Sequence, residues 1–122
     1  MRHVFMWAAL AAAGLTSPAQ AAGDAALGKV QFGKCSACHS INPGENKVGP
    51  SLHGIVGRQS SVVEGYNYTQ AMRNHKVTWN AEELDKYLEN PRGVVPGTRM
   101  IYPGVKKEED RANLIAYLET LK

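Results

Sequence analysis

The chain is 122 residues long, with 14 Lys and Arg against 11 Asp and Glu and a formal net charge of +3. That length supports one small hydrophobic core and little more. Phosphate binding needs a clustered basic face and a larger net charge, so a nucleic-acid partner is excluded.

Residues 1–21 have the pattern of a secretory leader. Arg2 and His3 give a basic start, Val4 to Leu15 is apolar, and Ala19-Gln20-Ala21 supplies small residues before a cleavage point after Ala21. A retained membrane anchor is the alternative, but an apolar stretch from 4 to 15 falls short of the roughly 18 residues of a spanning helix. No later stretch is apolar enough to span. Removing 21 of the 122 residues leaves 101, residues 22–122, with no internal repeat, low-complexity tract or linker, so a single domain is expected. Loss of Arg2 leaves 13 basic side chains against the 11 acidic ones, a net charge of +2. Export points to an oxidising compartment, which in a bacterium is the periplasm.

Asp24 to Lys34 is predicted helical, with Asp24 as the cap and Leu27, Val30 and Phe32 as the apolar side. It runs directly into Cys35-Ser36-Ala37-Cys38-His39, which holds both cysteines of the chain. This is the pattern of c-type haem attachment. Two thiols at that spacing can each add across one vinyl group of the same porphyrin, forming two thioethers, and the adjacent imidazole then reaches the iron. Three alternatives compete. A structural zinc site wants four Cys or His ligands, and beyond the leader only His39, His53 and His75 could join the pair. A thioredoxin-like redox pair belongs beside a βαβ pattern that is not evident here. A disulfide across two residues closes too small a loop to restrict the unfolded chain much.

From Ser40 to about Tyr68 the chain carries Pro43, Gly44, Gly49, Pro50, Gly54, Gly57 and Gly65, a density that predicts an ordered loop wrapped around something. Asn80 with Glu83 has the form of a capping box, followed by Leu84, Tyr87 and Leu88 at helical spacing and ended by Asn90-Pro91. Glu108 to Leu121 is the clearest helix. Glu108, Glu109 and Asp110 favour its N-terminus, and Leu114, Tyr117, Leu118 and Leu121 form one apolar stripe. The expected class is all-α, with short helices and long loops.

An electron-carrying haem needs a sixth ligand that stays bound in both oxidation states, and a methionine thioether raises the potential. Beyond the leader the choice lies between Met72 and Met100. Met100 is favoured, because Pro96-Gly97-Thr98-Arg99-Met100 is a turn-rich, non-helical segment able to lay a side chain over a haem face. Met72 suits gap-filling. His53 and His75 read as loop or surface residues.

The motifs CSACH, GPSLHGIVGR, the stretch around Trp79, YLENP, PGTRM and DRANLIAYL resemble class I cytochromes c, the mitochondrial type and its soluble bacterial relatives, over essentially all of Gly23 to Leu121. The resemblance implies a fold in which the N- and C-terminal helices cross, with shorter helices and long loops around one covalently bound haem c. It implies attachment at Cys35 and Cys38, and iron ligation by His39 and Met100. It further implies that the Pro50 carbonyl accepts a hydrogen bond from the far ring nitrogen of His39, and that Arg58, Tyr66, Tyr68 and Trp79 surround the haem propionates as donors. Tyr87 and Thr98 resemble the pair whose hydroxyls lie near the methionine sulfur. Gly28, Phe32, Leu114 and Tyr117 resemble the contact where the first and last helices cross. Two positions depart from the mitochondrial branch: Met72 stands where Asn is common, and Tyr102 where Phe is.

With both axial positions filled, no site is open to substrate, so the expected role is one-electron transfer, not catalysis. Lys34, Lys47, Arg92, Arg99, Lys106 and Lys107 resemble the family's basic ring, which would steer the protein to acidic faces of redox partners. By resemblance these are a quinol-cytochrome c oxidoreductase as donor and a terminal oxidase or other reductase as acceptor, served by a monomer. Glu108, Glu109 and Asp110 beside Lys107 weaken the ring. Rival readings are an enzyme or sensor with a displaceable Met100, and a dedicated subunit of one dehydrogenase. The latter calls for a contiguous exposed apolar patch that is not evident in the sequence.

Overall fold

The computed structural model describes residues 23–122, so the leader and its cleavage point lie outside the described residues. Five helices occur in the order α1 (Ala25–Phe32), α2 (Gln70–Asn74), α3 (Ala81–Glu89), α4 (Pro91–Val94) and α5 (Glu108–Glu119). Among the described residues the only β pairing is an isolated bridge between Gln59 and Thr78, in keeping with the expected all-α class. None of these helices is long and apolar enough to cross a membrane.

Four of the five helices start on a side-chain cap. The Asp24 carboxylate accepts from the Ala26 and Leu27 amides at 2.8 and 3.2 Å, satisfying donors that α1 leaves open. Asn80 accepts from the Glu83 amide at 2.9 Å. The reciprocal half of the expected capping box is not made, because the Asn80 amide bonds the Thr78 carbonyl instead. Asn90 closes α3 and also caps α4, accepting from Gly93 at 3.1 Å. Pro91 therefore ends one helix and opens the next at its first position, where a missing N–H costs nothing. Neither α2 nor α4 was expected, since one-turn helices leave no periodicity to detect. Between α1 and α2 the backbone takes positive φ at Gly44, Gly54, Gly57 and Gly65, as the glycine density of that loop required.

The core forms where α1 crosses α5. Leu114, Ile115, Tyr117, Leu118 and Leu121 are buried, so the predicted stripe of α5 holds. The predicted apolar side of α1 does not. Leu27 and Val30 are 52% and 77% exposed, and the buried face is Gly28 and Phe32. The reason is the depth of the crossing: a Cβ at Gly28 would overlap the Asn113 carbonyl and lie 2.8 Å from Tyr117 Cβ. Close approach of the two backbones selects the face that carries no side chain. Phe32 then packs on Tyr117 with ring centroids 5.3 Å apart, and the Asp24 amide donates to Asn113 Oδ1 at 2.8 Å.

Candidate functional site

Past α1 the chain continues in tight turns that place the cysteine motif. Cys35 N donates to Phe32 O at 2.8 Å, and Cys38 N and His39 N donate to Cys35 O at 3.0 and 2.9 Å. The following loop folds back alongside, with Gly49 N on Cys38 O at 2.7 Å and Leu52 N on Ser40 O at 2.9 Å. This pairing brings the Pro50 carbonyl to 2.7 Å from His39 Nδ1. A carbonyl only accepts, so Nδ1 carries the proton and Nε2 keeps a free lone pair. Burial pushes the His39 pKa down, opposed by the Pro50 bond and reinforced by Arg58. The ring is thereby held neutral, the state a metal ligand requires. Gly49 is needed here for contact, since a Cβ on it would overlap the His39 ring. The sequence marks Gly49 only as one of the loop glycines, with no signal of this contact beyond its place one residue before Pro50.

A cavity of about 390 Å³ opens from this segment into the protein. Cys35, Cys38, His39 and Pro50 line it, and so does Met100, carried on the helix-free strap between α4 and α5. Its other walls are largely apolar, including Leu52, Ile55, Leu84, Leu118 and Val105, none of which sequence reasoning had assigned to the site. They are spread over four stretches of chain, so spacing gave no cue. His53 and His75 do not line the cavity; the His75 ring packs on Trp79 at 5.8 Å.

The polar groups are few. Arg58 is half-buried and its Nη1 donates to the Ser51 and His53 carbonyls, both at 3.0 Å. No carboxylate among the described residues pairs with it, and burial pushes its pKa down, with Tyr68 opposing. Tyr68 accepts from the Val63 amide at 3.1 Å, which leaves its own proton to donate. Trp79 is buried and lines the same cavity. The Tyr66 hydroxyl donates to the Val48 carbonyl at 2.8 Å. Its ring lines the wall, edge-on to Tyr68. Tyr87 and Thr98 share a hydroxyl hydrogen bond of 2.8 Å, and Thr98 Oγ1 also accepts from the Met100 amide at 3.3 Å. Burial raises the Tyr87 pKa, partly offset by the Thr98 bond, so the phenol stays protonated.

The alternatives for the cysteine pair fare poorly. Among the described residues no group of three or more His, Cys, Asp or Glu could hold a metal ion. Both thiols are free, Cys35 half-buried and Cys38 exposed. Burial raises the Cys35 pKa, Cys38 adds to the rise and Lys34 opposes it. A zinc ligand or redox thiol needs the opposite shift. A largely apolar cavity with two thiols, one neutral imidazole, two thioethers and an unpaired guanidinium fits a large apolar ring system that bears acidic substituents. Haem c has that chemistry.

The six expected docking residues are all exposed. Lys34 and Arg99 line the cavity; Lys47, Arg99 and Lys106 also bond carbonyls of Ser36, Asn67 and Glu89 at 3.2, 2.9 and 2.8 Å. Val48 and Ile101 line it too, 65% and 85% exposed, an apolar feature that the sequence reading had not noted.

Fold and site together define a small all-α protein built to hold one covalently attached haem. A family model described as cytochrome c matches residues 25–122. The chain is 50% identical over 105 residues to a cytochrome c-type cyt cy of Rhodobacter capsulatus, covering 85% of this chain and 52% of that protein, so it spans about half the length of that relative. It is 50% identical over 101 residues to cytochrome c2 of Rhodopila globiformis, covering 82% of this chain and 95% of that one. The solved structure of cytochrome cH from Methylobacterium extorquens superposes with a TM-score of 0.76 at 39% identity, covering 80% of this chain and 99% of that one. The chain belongs to the cytochrome c family. It is a haem electron carrier of the class I all-α fold, not an enzyme, and its cofactor is one covalent haem c.

Proposed function

We propose that the chain is exported with loss of residues 1–21 and that residues 22–122 act in the periplasm as one soluble, monomeric domain. Haem c joins Cys35 and Cys38, and His39 and Met100 bind its iron. The observation that carries this reading is His39, neutral and oriented by the Pro50 carbonyl at 2.7 Å, in the same cavity as Met100. When bound, the haem supplies a single Fe(II)/Fe(III) couple. The protein's own groups hold its ligands still and exclude water. Arg58, Tyr68 and Trp79 offer donors to its carboxylates, which need such partners once buried.

Electrons then pass through the exposed rim near Val48 and Ile101, flanked by Lys34 and Arg99. The donor is a quinol-cytochrome c oxidoreductase and the acceptor a terminal oxidase or other reductase, met by the basic ring. Rapid-mixing electron transfer with an acidic one-electron partner should slow as salt rises from 10 to about 150 mM, the range over which the screening length falls from about 30 to 8 Å. A rate that is flat in salt overturns the steering role. Failure to exchange electrons with any one-electron partner overturns the carrier.

Met72, on α2, presents a thioether to the cavity where an amide is common in the mitochondrial branch. Met72→Asn is expected to shift the reduction potential and the stability of Met100 ligation, by adding a donor and an acceptor to a wall shared with Tyr87 and Thr98. Potentiometric titration checks this; an unchanged potential and ligand stability would count against it.

A further inference from the structure

The apolar stripe of α5 contains one charged residue, Arg111, which is only 6% exposed. A buried guanidinium is costly unless all its charge is matched, so its partners matter. Nε donates to Asp85 Oδ1 of α3 at 2.7 Å, and Nη1 donates to two successive carbonyls, Val105 and Lys106, both at 3.0 Å. Glu89 Oε2 lies 3.8 Å from Nη2. The carboxylates of Asp85, Glu89 and Glu108 reinforce the charge. One side chain thus joins α5 and α3 to residues 105–106, where the strap bearing Met100 returns to the helices.

The rest of that root is bound to the end of α3 as well. Val105 N donates to Leu88 O at 2.7 Å and Lys106 Nζ to Glu89 O at 2.8 Å. Gly104 lies so close that a Cβ there would overlap the Glu89 carbonyl. At the other root Thr98 N donates to Val95 O at 2.9 Å. Between the roots, Ile101 to Gly104 make no backbone hydrogen bond among the described residues. Met100 is therefore placed by these two roots, by its amide on Thr98 Oγ1 and by Arg99 on the Asn67 carbonyl, and not by a ladder of its own.

We propose that Arg111 is a positioning residue for the Met100 ligand, holding the 105–106 root so that the thioether stays in place. The inference rests on the Met100 ligation proposed above. Lysine could not substitute: a point charge cannot serve a carboxylate and two carbonyls in the plane of a guanidinium fork. In Arg111→Lys the root loosens and an outside ligand competes better for the place of Met100.

The test is titration of the oxidised haem-loaded protein with imidazole, together with global stability in guanidinium chloride. Leu121→Ala serves as control: Leu121 is buried just past the end of α5 but does not line the cavity. Arg111→Lys should raise apparent imidazole affinity by about tenfold, the equivalent of one charge-assisted hydrogen bond. Leu121→Ala, though destabilised, should leave it near the wild-type value. Asp85→Asn keeps the two carbonyl bonds but removes the orienting carboxylate, and should give a smaller rise; it also serves if Arg111→Lys does not fold. Affinity unchanged in both variants, or rising only in step with lost global stability as in Leu121→Ala, overturns the proposal. Absence of the near-infrared band of methionine ligation from the wild type would instead sink the ligand assignment itself.

Discussion

Met100→Ala should abolish the weak near-infrared band of the oxidised protein and convert its spectrum to one with an open or water-bound sixth position. The cavity holds one other thioether, Met72, but that side chain comes from α2, a different wall from the strap that carries Met100. On the proposed Met100 ligation the reduction potential should fall markedly, because a thioether ligand stabilises reduced iron. Haem should remain attached, since the Cys35 and Cys38 segment is hydrogen-bonded independently of the strap. Spectra of wild type and variant in both oxidation states decide the matter. A band that survives the substitution would reassign the ligand to Met72. A wild type without the band would favour an enzyme or sensor with an open site.

The second large effect concerns stability. Gly28→Ala should destabilise the fold by about 1–3 kcal/mol, the range for overpacking a closed contact. On an exposed helix the same change would gain about 1 kcal/mol in helix propensity, so the sign reports the crossing. The methyl group would meet the Asn113 carbonyl, which is backbone within α5, and Tyr117 Cβ at 2.8 Å; neither can swing away as the tip of a long side chain could. The melting temperature should fall by several degrees per kcal/mol in a domain of this size. The optical spectrum at room temperature should stay that of the wild type, because Gly28 does not line the cavity. Thermal unfolding followed at a haem absorption band measures this, and an unchanged or raised midpoint would mean that the helices separate at little cost.

Much of the site is local, and the local part was legible. The spacing of Cys35, Cys38 and His39 is set by the chemistry of one porphyrin. The stripe of α5 and the Asn80 cap of α3 express helical periodicity and the open N–H groups of a helix start. The resemblance to cytochromes c supplied contacts that no periodicity contains, such as Pro50 against His39. It did not contain the bond from the Tyr66 hydroxyl to the Val48 carbonyl, 18 residues away in the chain.

The sequence by itself determined the haem-attachment motif, the all-α class and the core face of α5, because each depends on residues a few positions apart. Tertiary structure alone decided which face of α1 is buried, since a backbone contact at Gly28 outweighs the pattern made by Leu27 and Val30. It also decided that Arg111, in an apolar stripe, meets its charge partner 26 residues away and two carbonyls of the methionine strap. Such partners are brought together by the crossing of helices and the return of a loop. Hydrophobic spacing records which side chains avoid water, not which distant polar groups meet once water is gone.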